Sequence, residues 1–319
     1  MNTNTIYNEP CLETLKKMPN EFLDCVITSP PYWQLRDYGY EGQWGLEPTF
    51  YEYLGHLWEM MDEIYRVLKP SGTVWINLGD TYNSGGNSRS NKDGQKEGII
   101  SHEYLKNTGF TNSNIKLNGK PKCLLLIPHR FAIGCIDRGW VMRNDIIWAK
   151  RNGMPESVND RFSKKHEYFF FMTKSTDYYF DLDAVRSKHI HANDKRNDGE
   201  RHIYKDGVKS FNNKMLATNA VSFNPLGKNP GTVSDFWDIP TKGSSDKHYA
   251  SYNQELIHKP IIAGCPENGL IYDPFMGTGS TAIAALRRNR NFIGSEMSVE
   301  YMKIAEKKID NLLIQKTLF

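Results

Sequence analysis

Leu270–Ser280 reads LIYDPFMGTGS. A short apolar strand, Gly269–Tyr272, runs into Asp273 and Pro274. The turn Gly277-x-Gly279 follows, then a helix over Ser280–Asn289 with Ala282, Ala284 and Ala285 on its early turns. Glycines at such a turn let the backbone fold tightly and let a ligand come close. The next strand, Asn291–Gly294, leads to Glu296, where a carboxylate can accept hydrogen bonds from both ribose hydroxyls. This unit is therefore expected to hold a nucleoside cofactor. There is no third glycine in dinucleotide spacing and no GxxxxGK[ST], so a pyrophosphate cradle is disfavoured. Asp273 beside the loop suits an ammonium group better than a phosphate. S-adenosyl-L-methionine, with an amino-acid head, a ribose and an adenine, fits the pattern.

Upstream, the apolar run Phe22–Thr28 reads as a buried strand that stops at Pro30-Pro31. Phe50–Leu68 carries apolar residues at helical spacing, and Thr73–Leu78 is another buried strand, so strand–helix–strand units of a parallel sheet are expected. Leu124–Asp137 and Gln254–Cys265 read as helices, and so does Val299–Leu313. Trp140–Ala149 and His166–Lys174 read as strands, with Tyr178–Asp181 a candidate partner of the latter. Two stretches break the pattern. Residues 83–120 are polar and lack periodicity. Leu182–Thr232 holds nine Lys or Arg against five Asp or Glu, which reads either as a solvated loop region or as a basic surface for nucleic acid.

Composition narrows the choices. The 319 residues carry a net charge of only +3, so any nucleic-acid surface must be local. The five cysteines form no CxxC pair, which argues against a zinc site or a disulfide framework; no metal site is expected. No apolar run is long enough to span a bilayer, and the N-terminus lacks signal-peptide blocks, so a soluble cytoplasmic protein is expected.

Thr28-Ser29-Pro30-Pro31-Tyr32-Trp33 follows the first strand. Pro30 fixes its own φ and holds Ser29 extended, giving a stiff loop that can aim the Ser29 hydroxyl and backbone carbonyls into a pocket. An exocyclic amino group of a base is a poor nucleophile, because its lone pair is delocalised into the ring. Acceptors for its two hydrogens favour a pyramidal nitrogen, and an aromatic surface holds the base flat. Ser29, the Pro30 carbonyl and Tyr32 supply that set, for a base flipped out of its duplex.

TSPPYW, GTVWINLGDTY, WAKRNGMPESVNDRFSKKHEYFFFMTK, HYASYNQELIHKP and DPFMGTGST, in this order, resemble the β-class amino-DNA methyltransferases, the circularly permuted enzymes whose catalytic motif precedes the cofactor motif. The resemblance implies an α/β, Rossmann-like S-adenosylmethionine-dependent methyltransferase fold. Its sheet has seven strands, mostly parallel with one antiparallel, and a small irregular target-recognition region is added. It implies a catalytic half over 1–181, target recognition over 182–232 and a cofactor-binding half over 233–319. Catalytic Ser29, Pro30, Pro31 and Tyr32 follow from it. So do Asp273, Pro274, Phe275, Gly277, Gly279, Glu296 and Ser251 around the cofactor. Glu9 stands where the family often has the Asp that contacts adenine. Lys188, Lys195, Arg196, Arg201 and Lys205 are the candidate contacts to double-stranded DNA.

In that family serine before Pro-Pro is typical of N4-cytosine enzymes and aspartate of N6-adenine enzymes, so the resemblance favours N4 of cytosine, with N6 of adenine as the alternative. A cognate restriction endonuclease acting on the same site is a candidate partner, and monomer and homodimer both stay open. A carbon-5 cytosine enzyme would need a nucleophilic cysteine after proline; Pro10-Cys11 lacks the accompanying turn and acid motif. An RNA or protein-amide methyltransferase and a non-catalytic DNA-binding module are the other readings. The motif order and the intact Ser29 and glycine loops argue against them. His166-Glu167 could suggest a metal, but neighbouring residues on a strand point to opposite faces, so a structural hydrogen bond is expected instead. Asp80 is placed near the pocket mouth without a role, and Trp237 at core or rim.

Overall fold

Alternating side chains decide how this chain is layered. On β2 (Leu23–Thr28), Cys25 and Ile27 face one way and Val26 the other. On β3 (Leu68–Leu78), Trp75 lies with the first pair, and Val74 and Ile76 with Val26. On β5 (His166–Thr173), Phe169 and Phe171 part from Phe170 and Met172 in the same manner. Successive strand residues point to opposite faces, so a sheet covered on both sides must be apolar nearly throughout.

The computed structural model describes residues 1–83, 120–153, 156–186, 235–241 and 254–317. The other elements are β1 (Thr5–Tyr7), α1 (Cys11–Lys17), α2 (Phe50–Val67), α3 (Ile127–Asp137), β4 (Val141–Ala149), β6 (Phe236–Asp238), α4 (Gln254–Gly264), β7 (Leu270–Asp273), α5 (Ser280–Leu286), β8 (Asn291–Ser295) and α6 (Val299–Thr317). The strands form one sheet in the order β1-β8-β7-β2-β3-β5-β4-β6. Helices α1, α2 and α3 cover one face and α4, α5 and α6 the other. Every neighbouring pair is parallel except that β5 runs antiparallel to both β3 and β4. The carboxyl ends of the parallel strands therefore share one edge, and β5 begins at that same edge.

The α/β class and the single antiparallel strand match expectation, but the sheet has eight strands instead of seven. The edge strands β1 and β6 have three residues each, too few for alternation to register, and helix α1 was likewise not anticipated. Tyr178–Asp181 is not a strand. Tyr179 N donates to Ser71 O and Asp181 N to Ala263 O, while Tyr178 and Phe180 pack on Phe171. Helix α3 begins at Ile127 and not Leu124, because Leu126 adopts φ +55° and Leu124 bridges to Tyr82. Asp80 helps start that helix by accepting from Ile127 N at 3.1 Å. Trp237 is a core residue, 5.6 Å from Phe169 between ring centroids. Among the described residues no helix is long and apolar enough to cross a membrane.

The α2–α3 contact depends on Gly134, where a Cβ would lie 2.3 Å from the Trp58 ring. Trp58 is pinned by its own hydrogen bond to Phe131 O, at 3.2 Å. Gly134→Ala should therefore cost about 1–3 kcal/mol and lower Tm by several degrees, measured by thermal denaturation. An unchanged Tm would show that the helices can separate freely.

Candidate active site

Strands β2 and β7 are neighbours, with Val26 opposite Tyr272, so the loops that leave their carboxyl ends emerge side by side. The two tips are also tied. Thr28 Oγ1 donates to Asp273 Oδ1 at 2.7 Å, Phe275 N donates to the same oxygen at 3.0 Å, and Thr281 Oγ1 donates to Oδ2 at 2.5 Å. Asp273 is 1% exposed. Its carboxylate is engaged from inside, so it shapes the glycine loop where an ammonium partner was expected. Pro274 is buried beside it, and Phe275 stays half-buried with its ring 5.4 Å from that of Trp44.

The two glycines serve different ends. Gly277 adopts φ +55°, and a Cβ there would meet nothing nearer than Phe275 O at 4.0 Å. Gly279 adopts φ +85°, but its Cβ would press on Ala305 of α6 at 2.9 Å, so it serves helix packing. Glu296 faces the loop, accepting from Gly277 N at 2.7 Å and from Ser298 N at 2.8 Å. Burial pushes its carboxyl above the ordinary value, and those N–H groups pull it partly back. Strand β1 brings the N-terminal stretch to the same turn. Asn8 Nδ2 donates to the carbonyls of Glu296 and Met297 at 2.7 and 3.0 Å. Glu9, the expected adenine contact, instead turns to α1, where it accepts from Thr14 Oγ1 at 2.9 Å and pairs with Lys17.

The Ser29 loop lies across the tip of β3. A Cβ on Gly79 would meet the Tyr32 ring at 2.6 Å, so that ring rests on bare backbone. Tyr32 Oη donates within reach of Glu167 Oε2 at 2.7 Å and Asn77 Oδ1 at 3.0 Å. Ser29 Oγ lies 3.4 Å from Asn77 Oδ1 and 3.5 Å from Tyr32 Oη. Burial, followed by the nearby Glu167 charge, holds the Tyr32 phenol well above its usual range. Pro30 is buried, and the Pro31 carbonyl is taken by the Tyr53 hydroxyl at 2.7 Å. Asn77 went unnoticed in the sequence; its signal was a lone amide at the end of the apolar run TVWINL.

A second unanticipated element is the loop 33–49. Glu47 anchors it by accepting from Gly45 N at 2.8 Å and contacting His56 Nδ1 at 2.9 Å. Its Tyr40 hydroxyl lies 2.6 Å from Ser298 Oγ, and Trp44 stacks on His56. The loop thus links the Ser29 turn to the Glu296 turn. Ser251, Lys188, Lys195, Arg196, Arg201 and Lys205 lie outside the described residues, as does most of 83–120.

The family model described as DNA methylase (N6_N4_Mtase) matches residues 23–307. The Type II methyltransferase M.SmaI of Serratia marcescens is 33% identical over 93% of this chain and 87% of its own length. M.Cfr9I of Citrobacter freundii is 32% identical over 97% and 88%. Among solved structures, the cytosine-N4-specific PvuII DNA methyltransferase aligns with TM-score 0.58 at 17% identity, covering 98% of this chain and 92% of that one. TTHA0409 of Thermus thermophilus, solved with S-adenosyl-L-methionine, aligns with TM-score 0.55 at 20% identity over 96% and 94%.

The unequal glycines give a separable test. Gly277→Ala should cost about 1 kcal/mol of stability for its left-handed backbone and abolish S-adenosyl-L-methionine binding by calorimetry. Gly279→Ala should instead depress Tm more strongly, because its methyl group meets Ala305. Undiminished ligand binding by Gly277→Ala would remove that glycine from the cradle.

Proposed function

Because the chain belongs to the DNA methylase family, we propose that it transfers a methyl group from S-adenosyl-L-methionine to N4 of a cytosine flipped out of double-stranded DNA. The observation that carries this reading is the pair of loops at neighbouring strand tips, joined through Thr28 and Asp273. One loop is built to hold a nucleobase and the other a nucleoside. The space over Gly277, with Glu296 beside it, fits the ribose end of such a cofactor, and Asn8 with loop 33–49 encloses the same side. When bound, S-adenosyl-L-methionine supplies an electrophilic methyl group whose sulfonium leaves as a neutral thioether while the new N–C bond forms.

The protein's own residues orient the acceptor. Ser29 Oγ and the Pro30 carbonyl take the two amino hydrogens, and Tyr32 offers a flat surface for the ring. The base nitrogen gains positive charge as it bonds carbon, so its proton is released afterwards to water and no strong base is required. Serine at position 29 favours cytosine N4; adenine N6 is the alternative within the family. The relatives named as Type II methyltransferases support a role in restriction–modification beside a nuclease of the same specificity.

The DNA face is assigned to the carboxyl edge of the sheet and to the basic stretch with Lys188, Lys195, Arg196, Arg201 and Lys205. In the β4–β5 connection at that edge, exposed Lys165 and Phe162, the latter 97% exposed, support this placement, whereas Arg161 is paired with Glu156 and Lys164 donates to the Asp80 carbonyl. Lys and Arg there would contact phosphates.

Incubation with labelled S-adenosyl-L-methionine and unmodified genomic DNA, then digestion to nucleosides and mass spectrometry, should yield N4-methylcytosine. N6-methyladenine would establish the alternative, and no labelled nucleoside would refute the assignment. Ser29→Ala should lower turnover about 10²-fold while cofactor affinity is retained.

A further inference from the structure

Glu167 touches the catalytic loop, yet the reaction outlined above gives it no task. The Tyr32 phenol carries one hydrogen and has two acceptors, Glu167 Oε2 at 2.7 Å and Asn77 Oδ1 at 3.0 Å. The carboxylate is the stronger acceptor and the nearer one, so the hydrogen goes to Glu167. Lys150 pairs with the other carboxylate oxygen and balances its charge. Asn77 is held in one orientation, since Nδ2 donates to Tyr168 O at 3.0 Å.

That commitment fixes the rest of the chain of hydrogen bonds. With the Tyr32 hydrogen spent on Glu167, only lone pairs of Tyr32 Oη and Asn77 Oδ1 face Ser29 Oγ, at 3.5 and 3.4 Å. The Ser29 hydrogen then has inward acceptors, and the serine lone pairs face the other way. A base amino group arrives with two hydrogens and needs acceptors. We propose that Glu167 is a positioning residue: by taking the Tyr32 hydrogen it sets the direction of the chain, so that Ser29 meets the target amino group with lone pairs. The inference rests on the assignment of Ser29 to that amino group. The phenol, held well above its ordinary range by burial and then by the Glu167 charge, stays a donor throughout the neutral range.

Glu167→Gln keeps the shape but should reverse the chain. Beside the Lys150 ammonium, the new amide turns its carbonyl to the lysine and its NH2 to Tyr32. Tyr32 then donates to Asn77 Oδ1 at 3.0 Å while its own oxygen accepts from the new amide, so Ser29, at 3.4 and 3.5 Å from these two oxygens, is outcompeted for both and its hydrogen turns toward the substrate. With tritiated S-adenosyl-L-methionine and unmodified genomic DNA, kcat should fall about 10- to 100-fold, with KM for DNA and cofactor affinity unchanged. Adding Lys150→Met lets the amide turn back and should recover part of the loss. In a Tyr32→Phe background Glu167→Gln should have no further effect. Glu167→Asp, which keeps the carboxylate, should lose less than Gln. If the Gln variant does not fold, the Asp loss must still vanish beside Tyr32→Phe. Wild-type turnover by Glu167→Gln, no recovery with Lys150→Met, or a full loss that persists in the Tyr32→Phe background overturns the inference. A wild-type protein that methylates no DNA would sink the assigned activity instead.

Discussion

A carboxylate buried to 1% exposure must find donors, and the whole site is arranged around how Asp273 finds them. Its donors come from the tip of β2, from the glycine loop and from the first turn of α5. The tip of β2, 245 residues away in sequence, is thereby held to the glycine loop and to the start of α5. Charge-assisted hydrogen bonds of this kind are stronger and more directional than neutral ones. The Ser29 loop and the glycine loop therefore share a rigid root, and methyl transfer between two bound molecules needs such fixed alignment. Reaction by such transfer depends on alignment far more than on any strongly acidic or basic group.

The second constraint is the supply of lone pairs at the sheet edge. Tyr32, Asn77, Ser29 and Glu167 crowd one side of the Pro-Pro turn, and each hydroxyl has one hydrogen to give. The reversal of β5 is essential here. An antiparallel strand begins where its neighbours end, so Glu167 enters the site from a strand whose other end lies across the sheet. A fully parallel sheet would leave that carboxylate at the opposite edge. Gly79 makes the complementary contribution, since only bare backbone lets the Tyr32 ring lie so close to β3.

Much of the architecture was legible in the chain. The long apolar runs of β2, β3 and β5 and the spacing in α2 carry their own periodicity, and the glycine turn and Pro-Pro turn carry stereochemistry that few other residues share. The three-residue strands β1 and β6 could not be read, because a pattern of period two needs more than one repeat. Tyr178–Asp181 looked like a strand for its aromatic content, but its backbone bonds to Ser71 and Ala263 and only its rings join the sheet. The loop 33–49 was silent because its anchors, Glu47 with His56 and Tyr40 with Ser298, are contacts between chain segments and leave no local pattern.

By itself the sequence determined the two loops, since glycine and proline restrict the backbone wherever they stand, and it determined which strands are buried. Tertiary structure alone decided what the polar groups do. Asp273 turned inward beneath its loop, Glu9 turned to α1, and Gly279 proved to serve helix packing. Asn77 and Glu167 acquired their place beside Ser29 only when β3 and β5 lay side by side. A side chain's type states which hydrogen bonds it can make, but the partner it meets depends on strand order and direction, which no local stretch encodes.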